Sequence, residues 1–197
     1  MGQPLSSEGL DTLFRAARSY NGYTDAPFTE ADAQAVWDLM KMGPTSANIL
    51  PARLIWCFSQ ESKDKLAALS SGTNGAKIKV APATLIIGMD VDFHETMPEF
   101  FPHAPTAKDW FPDVAVREIV ALRNSSLQGA YFILAARALG FDTGPMSGFD
   151  NAAVDAAFFA DTPSVKSNFI STIGVGDPAT VFERLPRPVF ERFNTVL

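Results

Sequence analysis

The chain has 197 residues, a length that predicts a single domain over residues 1–197 with a core stable without disulfides or metal. Its formal net charge is −6, and without a lysine or arginine cluster the sequence gives nucleic-acid binding no electrostatic support. The N-terminus has no signal-peptide pattern, and no apolar run is long enough to cross a bilayer. His94 and His103 lack metal-ligand spacing. These features predict a cytoplasmic protein that binds no nucleic acid, membrane or metal.

Apolar periodicity and capping residues predict the elements in chain order. A first helix is predicted over residues 5–19, and a second helix begins at Thr29 and is stopped by Gly43 and Pro44. A buried strand over 54–58, a short helix over 61–69 and a second buried strand over 83–89 follow. Residues 91–112 show no clear periodicity. The remaining predictions are a long helix over 113–139, a helix over 151–159, a strand over 168–174 and a proline-broken tail over 185–197.

Cys57 is the only cysteine, which excludes an intrachain disulfide and fits a reducing compartment. It lies within the continuous apolar run of the first predicted strand. We therefore interpret Cys57 as a small core residue rather than a redox thiol.

Strands separated by helices favour a mixed α/β architecture, with helices on both faces of one sheet. No Gly-x-Gly-x-x-Gly opens a helix after a strand, so a Rossmann dinucleotide site or a phosphate-binding loop is unsupported.

Residues 140–150 are the most informative stretch, because three glycines and a proline follow the long predicted helix. This composition ends a helix and leaves backbone N–H and C=O groups accessible to a flat polar ligand. The same residues also fit a helix C-terminus, a tight turn and the start of a strand.

The stretch Gly-x-x-x-x-Pro-x-x-Gly-Phe-Asp nevertheless resembles the FMN-dependent nitroreductase family, as do residues 17–23, 43–51, 74–77 and 183–187. The resemblance implies an α+β fold, a three-layer α/β/α sandwich with one mixed, mainly antiparallel sheet and a domain-swapped C-terminal tail. It also implies a homodimer with FMN at the subunit interface, and NADPH or NADH as the reductant.

The resemblance assigns cofactor-binding roles by segment. It implies phosphate contacts from the first and last segments, where Ala17, Asn21 and Phe182 depart from the family's basic residues. It implies flavin contacts from a loop of the partner subunit, from a short helix and from the backbone of the glycine-rich turn. The implied cofactor-binding residues are Arg18, Ser19, Asn21, Pro44, Thr45, Ser46, Asn48, Asn74, Lys77, Pro145, Ser147, Gly148, Arg184 and Arg187.

Residues 93–111 are a candidate lid over the flavin, with Phe101, His103 and Trp110 as candidate substrate contacts. The alternative is a loop that packs on the dimer partner. No nucleophile–base pair can be assigned in the sequence, which agrees with chemistry performed by a cofactor.

Within the family, the runs at residues 40–48, 101–103, 123–128, 142–150 and 184–187 resemble the malonic semialdehyde reductase subgroup of pyrimidine degradation. This resemblance implies ping-pong reduction of 3-oxopropanoate to 3-hydroxypropanoate through flavin N5. Two alternatives stay open: a broad-specificity nitroreductase or quinone reductase, and a flavin-binding protein without turnover.

Overall fold

The computed structural model describes residues 2–197. One sheet contains β1 (Ala52–Cys57), β2 (Ala83–Asp90), β3 (Asp142–Met146) and β4 (Val165–Gly174) in the order β1-β2-β4-β3. All three strand pairings are antiparallel. The helices are α1 (Ser7–Leu10), α2 (Glu30–Met40), α3 (Gln60–Ala68), α4 (Gly72–Val80), α5 (Met97–Phe100), α6 (Val114–Ala138), α7 (Asn151–Phe158) and α8 (Phe190–Phe193).

Side chains alternate across the sheet, so each face has its own core. Leu85 and Ile87 of β2 pack with Phe132 of α6 on one face. Ile86 and Ile170 pack with side chains of α3, α4 and α7 on the other. The central strand β2 is therefore buried on both faces, and the predicted three-layer sandwich with a mainly antiparallel sheet is confirmed.

The helix predicted over residues 5–19 is shorter in the structure, where helical residues cover only 7–15. Helix α1 ends at Leu10, and a π-helical turn over Asp11–Arg15 follows it. The chain then becomes extended, and Ser19 forms an isolated parallel bridge with Thr143 of β3. Tertiary pairing with the sheet thus overrides the helical spacing of this segment.

Strand β3 and helix α4 were not among the elements predicted from apolar periodicity. Strand β3 has a Pro-Gly-rich sequence, which is tolerated because β3 lies at the edge of the sheet. Helix α4 begins with Gly-Thr-Asn-Gly, a poor helix-forming sequence, and is stabilised by packing on α3. A Cβ at Gly75 would lie 2.8 Å from the Ala67 carbonyl oxygen, so this packing requires glycine.

Residues 91–112 contain short helical turns rather than no structure. The turns cover Phe93–Thr96 and Pro105–Trp110 on either side of α5. Phe93 and Met97 are buried against Ile49 in a third apolar cluster, so this segment packs on the loop that precedes β1.

Cys57 is 1% exposed in the core beneath α3, and burial raises the pKa of its thiol to about 11. A raised folded-state pKa favours the neutral thiol, so its contribution to stability is present below the unfolded pKa and is lost as pH rises towards 11. We expect native protein at pH 8 to react slowly with iodoacetamide and urea-unfolded protein to react fast, as measured by mass spectrometry. Equal alkylation rates in the two states would contradict this placement.

No helix among residues 2–197 has both the length and the apolar character needed to cross a membrane. Within the same residues, no group of three or more His, Cys, Asp or Glu side chains is placed to hold a metal ion.

Candidate functional site

A cavity of about 500 Å³ lies between the segment after the π-helical turn and the C-terminal tail. We call it the arginine cleft. It brings together four of the predicted phosphate residues from opposite ends of the chain. It is lined by Phe14, Ala17, Arg18, Ser19, Arg137, Phe182, Glu183, Arg184, Leu185 and Arg187.

The arginines of the cleft are held by backbone carbonyls rather than by carboxylates. Arg184 Nη2 donates to the carbonyl oxygens of Arg15 at 2.8 Å and Ala17 at 2.9 Å. Arg18 donates to the Phe182 carbonyl, and Arg187 Nη1 donates to the Leu185 carbonyl at 2.9 Å.

No acidic side chain among residues 2–197 forms an ion pair with any arginine of the cleft. Glu183 is the one carboxylate among four guanidinium groups in the lining. The cleft is therefore a positively charged pocket within an acidic protein, and its chemistry suits an anion such as a phosphate.

Arg137 of α6 is the member of the cleft that the sequence reasoning missed. Its Nη1 donates to the Leu13 carbonyl at 2.9 Å, whereas its Nε is buried without an acceptor among residues 2–197. Burial lowers the pKa of the Arg137 guanidinium; Asp142 opposes this shift and Arg184 adds to it. The signal available in the sequence is one arginine within the otherwise apolar end of a helix.

The glycine-rich turn after β3 is fixed by α4. Asn74 Nδ2 donates to the Gly148 carbonyl at 3.1 Å, and the Ser71 N–H donates to the same oxygen at 2.9 Å. Ser147 and Gly148 are exposed residues of the turn, and their N–H groups donate to no acceptor among residues 2–197. The turn therefore presents, beside Pro145, two backbone donors that have no acceptor in the described part of the chain.

Lys77 lies three residues after Asn74 on α4, so the two side chains share one face of the helix. It is half-buried, and its ammonium group donates no hydrogen bond within residues 2–197. The position leaves a free cation next to the glycine-rich turn.

The predicted flavin-covering loop, residues 43–51, and the first residue of β1 are held by a row of polar side chains on α6. Tyr131 Oη donates to the Pro44 carbonyl at 2.9 Å. The side-chain oxygen of the buried Asn124 accepts from the Ser46 N–H at 2.8 Å. That of the buried Gln128 accepts from the Ala52 N–H, also at 2.8 Å. Since these three side chains lie at helical spacing, one face of α6 fixes the whole loop.

The backbone of this loop is strained. Ala47, Asn48 and Leu50 have φ values of 47°, 50° and 41°, a region that non-glycine residues rarely adopt. Asn48 Nδ2 donates to the Phe100 carbonyl at 2.8 Å, which ties the loop to the candidate lid. Thr45 Oγ1 accepts from the Leu50 N–H at 3.3 Å and closes the turn internally.

The three candidate lid residues lie together. The ring centroids of Phe101 and His103 are 3.9 Å apart, and those of Phe101 and Trp110 are 6.1 Å apart. His103 and Trp110 are exposed, so this aromatic group is available for contact.

The predicted residues thus form three groups within one chain: the arginine cleft, the turn with α4, and the loop with the lid. No hydrogen bond among residues 2–197 joins residues 44–48 to either of the other two groups. Asn21 belongs to none of them. Its Nδ2 donates to the Thr180 carbonyl at 2.8 Å, so the structure uses this side chain to join two loops.

The family model described as "Nitroreductase family" matches residues 14–177, most of the chain. The chain belongs to the nitroreductase family. Among the relatives of this nitroreductase-family chain, a protein of Caulobacter sp. (strain K31) named "Putative NADH dehydrogenase/NAD(P)H nitroreductase" is 57% identical over 98% of each chain. A Stenotrophomonas maltophilia (strain K279a) protein with the same descriptive name is 54% identical over 97% of each chain.

A solved structure shares the fold of this nitroreductase-family chain. It is described as a "putative nitroreductase in complex with FMN" from Exiguobacterium sibiricum 255-15 and has a TM-score of 0.83. The match covers 99% of this chain and 100% of that chain, at 18% sequence identity.

Proposed function

We propose that the chain is an FMN-dependent NAD(P)H oxidoreductase of the nitroreductase family. One observation carries the proposal: the arginine cleft and the glycine-rich turn lie at the two ends of β3. Ser19 bridges Thr143 at the start of the strand, and Gly148 follows five residues later, about 16 Å along an extended chain. An elongated ligand with an anionic end and a flat polar end fits this arrangement.

The residues of this chain fit FMN group by group. Arg18, Ser19, Arg184 and Arg187 would hold the phosphate. The uncommitted N–H groups of Ser147 and Gly148, with Pro145, would hold the polar edge of the ring, and Asn74 and Lys77 would hold the ribityl chain and the adjacent ring edge. When bound, FMN supplies hydride transfer through N5, which explains why the chain needs no nucleophilic side chain.

The side chains would then act by position and charge. Lys77, with a free ammonium group, would stabilise negative charge on the ring edge that it faces. The aromatic side chains of the lid would exclude water from the reacting face, and a neutral Ser147 would leave that face open to NADH or NADPH and then to the second substrate.

We further propose a homodimer with the flavin site at its interface, completed by residues 44–48 of a second copy. Large apolar side chains are exposed on α6, where Ile119 has 59% of its surface exposed, and further exposed apolar side chains belong to the C-terminal tail. The outer edge of β1 has no partner strand among residues 2–197, which suits a domain-swapped tail. Light scattering that found a monomer with bound FMN would contradict this assembly.

For the second substrate we propose 3-oxopropanoate, reduced to 3-hydroxypropanoate. The resemblance at residues 142–150 and Lys108, a cation of the lid segment, support a small carboxylate-bearing aldehyde. Nitroaromatics and quinones are the second candidates, and the word nitroreductase in the names of the relatives supports the nitroaromatics. Steady-state kinetics with both substrate types, compared by kcat/KM, separate the two.

The test of the flavin proposal is the visible absorption spectrum of the purified protein after reconstitution with FMN. We expect retained flavin absorption that bleaches when NADPH or NADH is added without oxygen. Retained flavin that neither nicotinamide bleaches would indicate a flavin-binding protein without turnover. Loss of all flavin on desalting would contradict the proposal itself.

A further inference from the structure

Arg137 reaches the arginine cleft from α6, apart in sequence from the other three guanidinium groups. We propose that Arg137 binds the phosphate of the ligand through the Nε–Nη2 edge of its guanidinium group. This inference rests on the proposed function and adds a binding residue that neither the sequence pattern nor the resemblance assigns.

The hydrogen bonds of Arg137 leave two donors on one edge of the guanidinium group without an acceptor among residues 2–197. Nη1 donates to the Leu13 carbonyl at 2.9 Å, which fixes the orientation of the plane. Nε is buried without an acceptor, and Nη2 donates to no acceptor among residues 2–197. The Nε–Nη2 edge carries two parallel N–H donors, a geometry that matches two oxygens of a phosphate.

The negative charge of Asp142 raises the pKa of Arg137, but Asp142 accepts no hydrogen bond from the Arg137 guanidinium group among residues 2–197. Its Oδ2 accepts from the Gly176 N–H at 3.0 Å, and it forms no ion pair with Arg137 among residues 2–197. Burying a donor without a partner is unfavourable, and Arg184 increases the cost by charge repulsion. A bound phosphate would supply the missing acceptor and offset both effects.

The experiment measures the affinity of the flavin-free protein for FMN and for riboflavin, which lacks the phosphate, by quenching of flavin fluorescence. Arg137→Met should weaken FMN binding about 10-fold and leave riboflavin binding unchanged, because one charge-assisted contact is lost. Arg137→Lys should lose less FMN affinity than Arg137→Met. Arg15→Met is the matched control, since Arg15 pairs with Asp11 and Ser7 outside the cleft.

Two results would overturn the inference while leaving the proposed function intact: unchanged FMN affinity in Arg137→Met, or equal losses for FMN and riboflavin. If the wild-type protein binds neither flavin, the proposed function fails, and inorganic phosphate becomes the probe. Phosphate should then raise the thermal midpoint of the wild type and Arg15→Met more than that of Arg137→Met. Equal shifts in all three proteins would refute Arg137 as an anion ligand.

Discussion

Replacing Arg184 with methionine is expected to weaken FMN binding about 100-fold, the equivalent of about 3 kcal/mol. Nη2 of Arg184 is committed to the Arg15 and Ala17 carbonyls, so Nε and Nη1 are the donors available to a phosphate. The substitution removes these donors and their charge but keeps most of the aliphatic length of the side chain. Equilibrium dialysis of the flavin-free protein against FMN measures the loss.

Arg192→Met is the control for this prediction, because Arg192 is exposed in the same tail, stacks on Phe193 and does not line the cleft. Riboflavin affinity should be the same for the wild type and Arg184→Met. Unchanged FMN affinity in Arg184→Met would remove Arg184 from the phosphate site. Equal losses for FMN and riboflavin would indicate a distorted tail instead.

The second large effect is expected at Gly144, where alanine should lower the free energy of unfolding by about 3 kcal/mol. A Cβ at this position would lie 2.5 Å from Thr172 Oγ1 and 2.6 Å from the Tyr20 carbonyl oxygen. The threonine oxygen is itself 2.7 Å from Tyr23 Oη in a part-buried hydrogen bond, and the Tyr20 oxygen belongs to the backbone. Neither neighbour can move without breaking the contact between β3 and the N-terminal segment.

Urea denaturation measures this change, with Gly72→Ala as the matched control. A Cβ at Gly72 would meet no heavy atom within 4 Å, so we expect a change within about 0.5 kcal/mol. Gly144 does not have a positive φ, so the expected cost arises from space rather than from backbone conformation. Equal stability of Gly144→Ala and the wild type would show that the N-terminal segment adjusts freely.

Strand β2 could be predicted because its sequence is a nearly continuous apolar run, typical of a strand that is covered on both faces of the sheet. Strand β3 could not, because Asp-Thr-Gly-Pro-Met has little strand preference of its own. Its conformation comes from pairing with β4 and with Ser19, and such long-range contacts leave no local pattern.

The site shows the same division. Arg18, Arg184 and Arg187 were predicted from motif resemblance, and the fold brings them into one cavity. Arg137 was missed because an arginine in the last turn of a helix ordinarily interacts with the helix dipole in solvent. Asn21 was also predicted as a cofactor residue, and that role stays a prediction; in the structure its Nδ2 donates to the Thr180 carbonyl. Which side of an element faces a cavity depends on packing that single-residue patterns do not encode.

The strained loop at residues 47–50 has a consequence for the energetics of recognition. Its left-handed residues lie between Ser46 and Ala52, whose N–H groups donate to side chains of α6, and Asn48 donates to the Phe100 carbonyl, all without a ligand. The loss of conformational entropy therefore accompanies folding rather than association. The loop is therefore preorganised for a ligand, and its rigidity rather than additional contacts would contribute to the affinity.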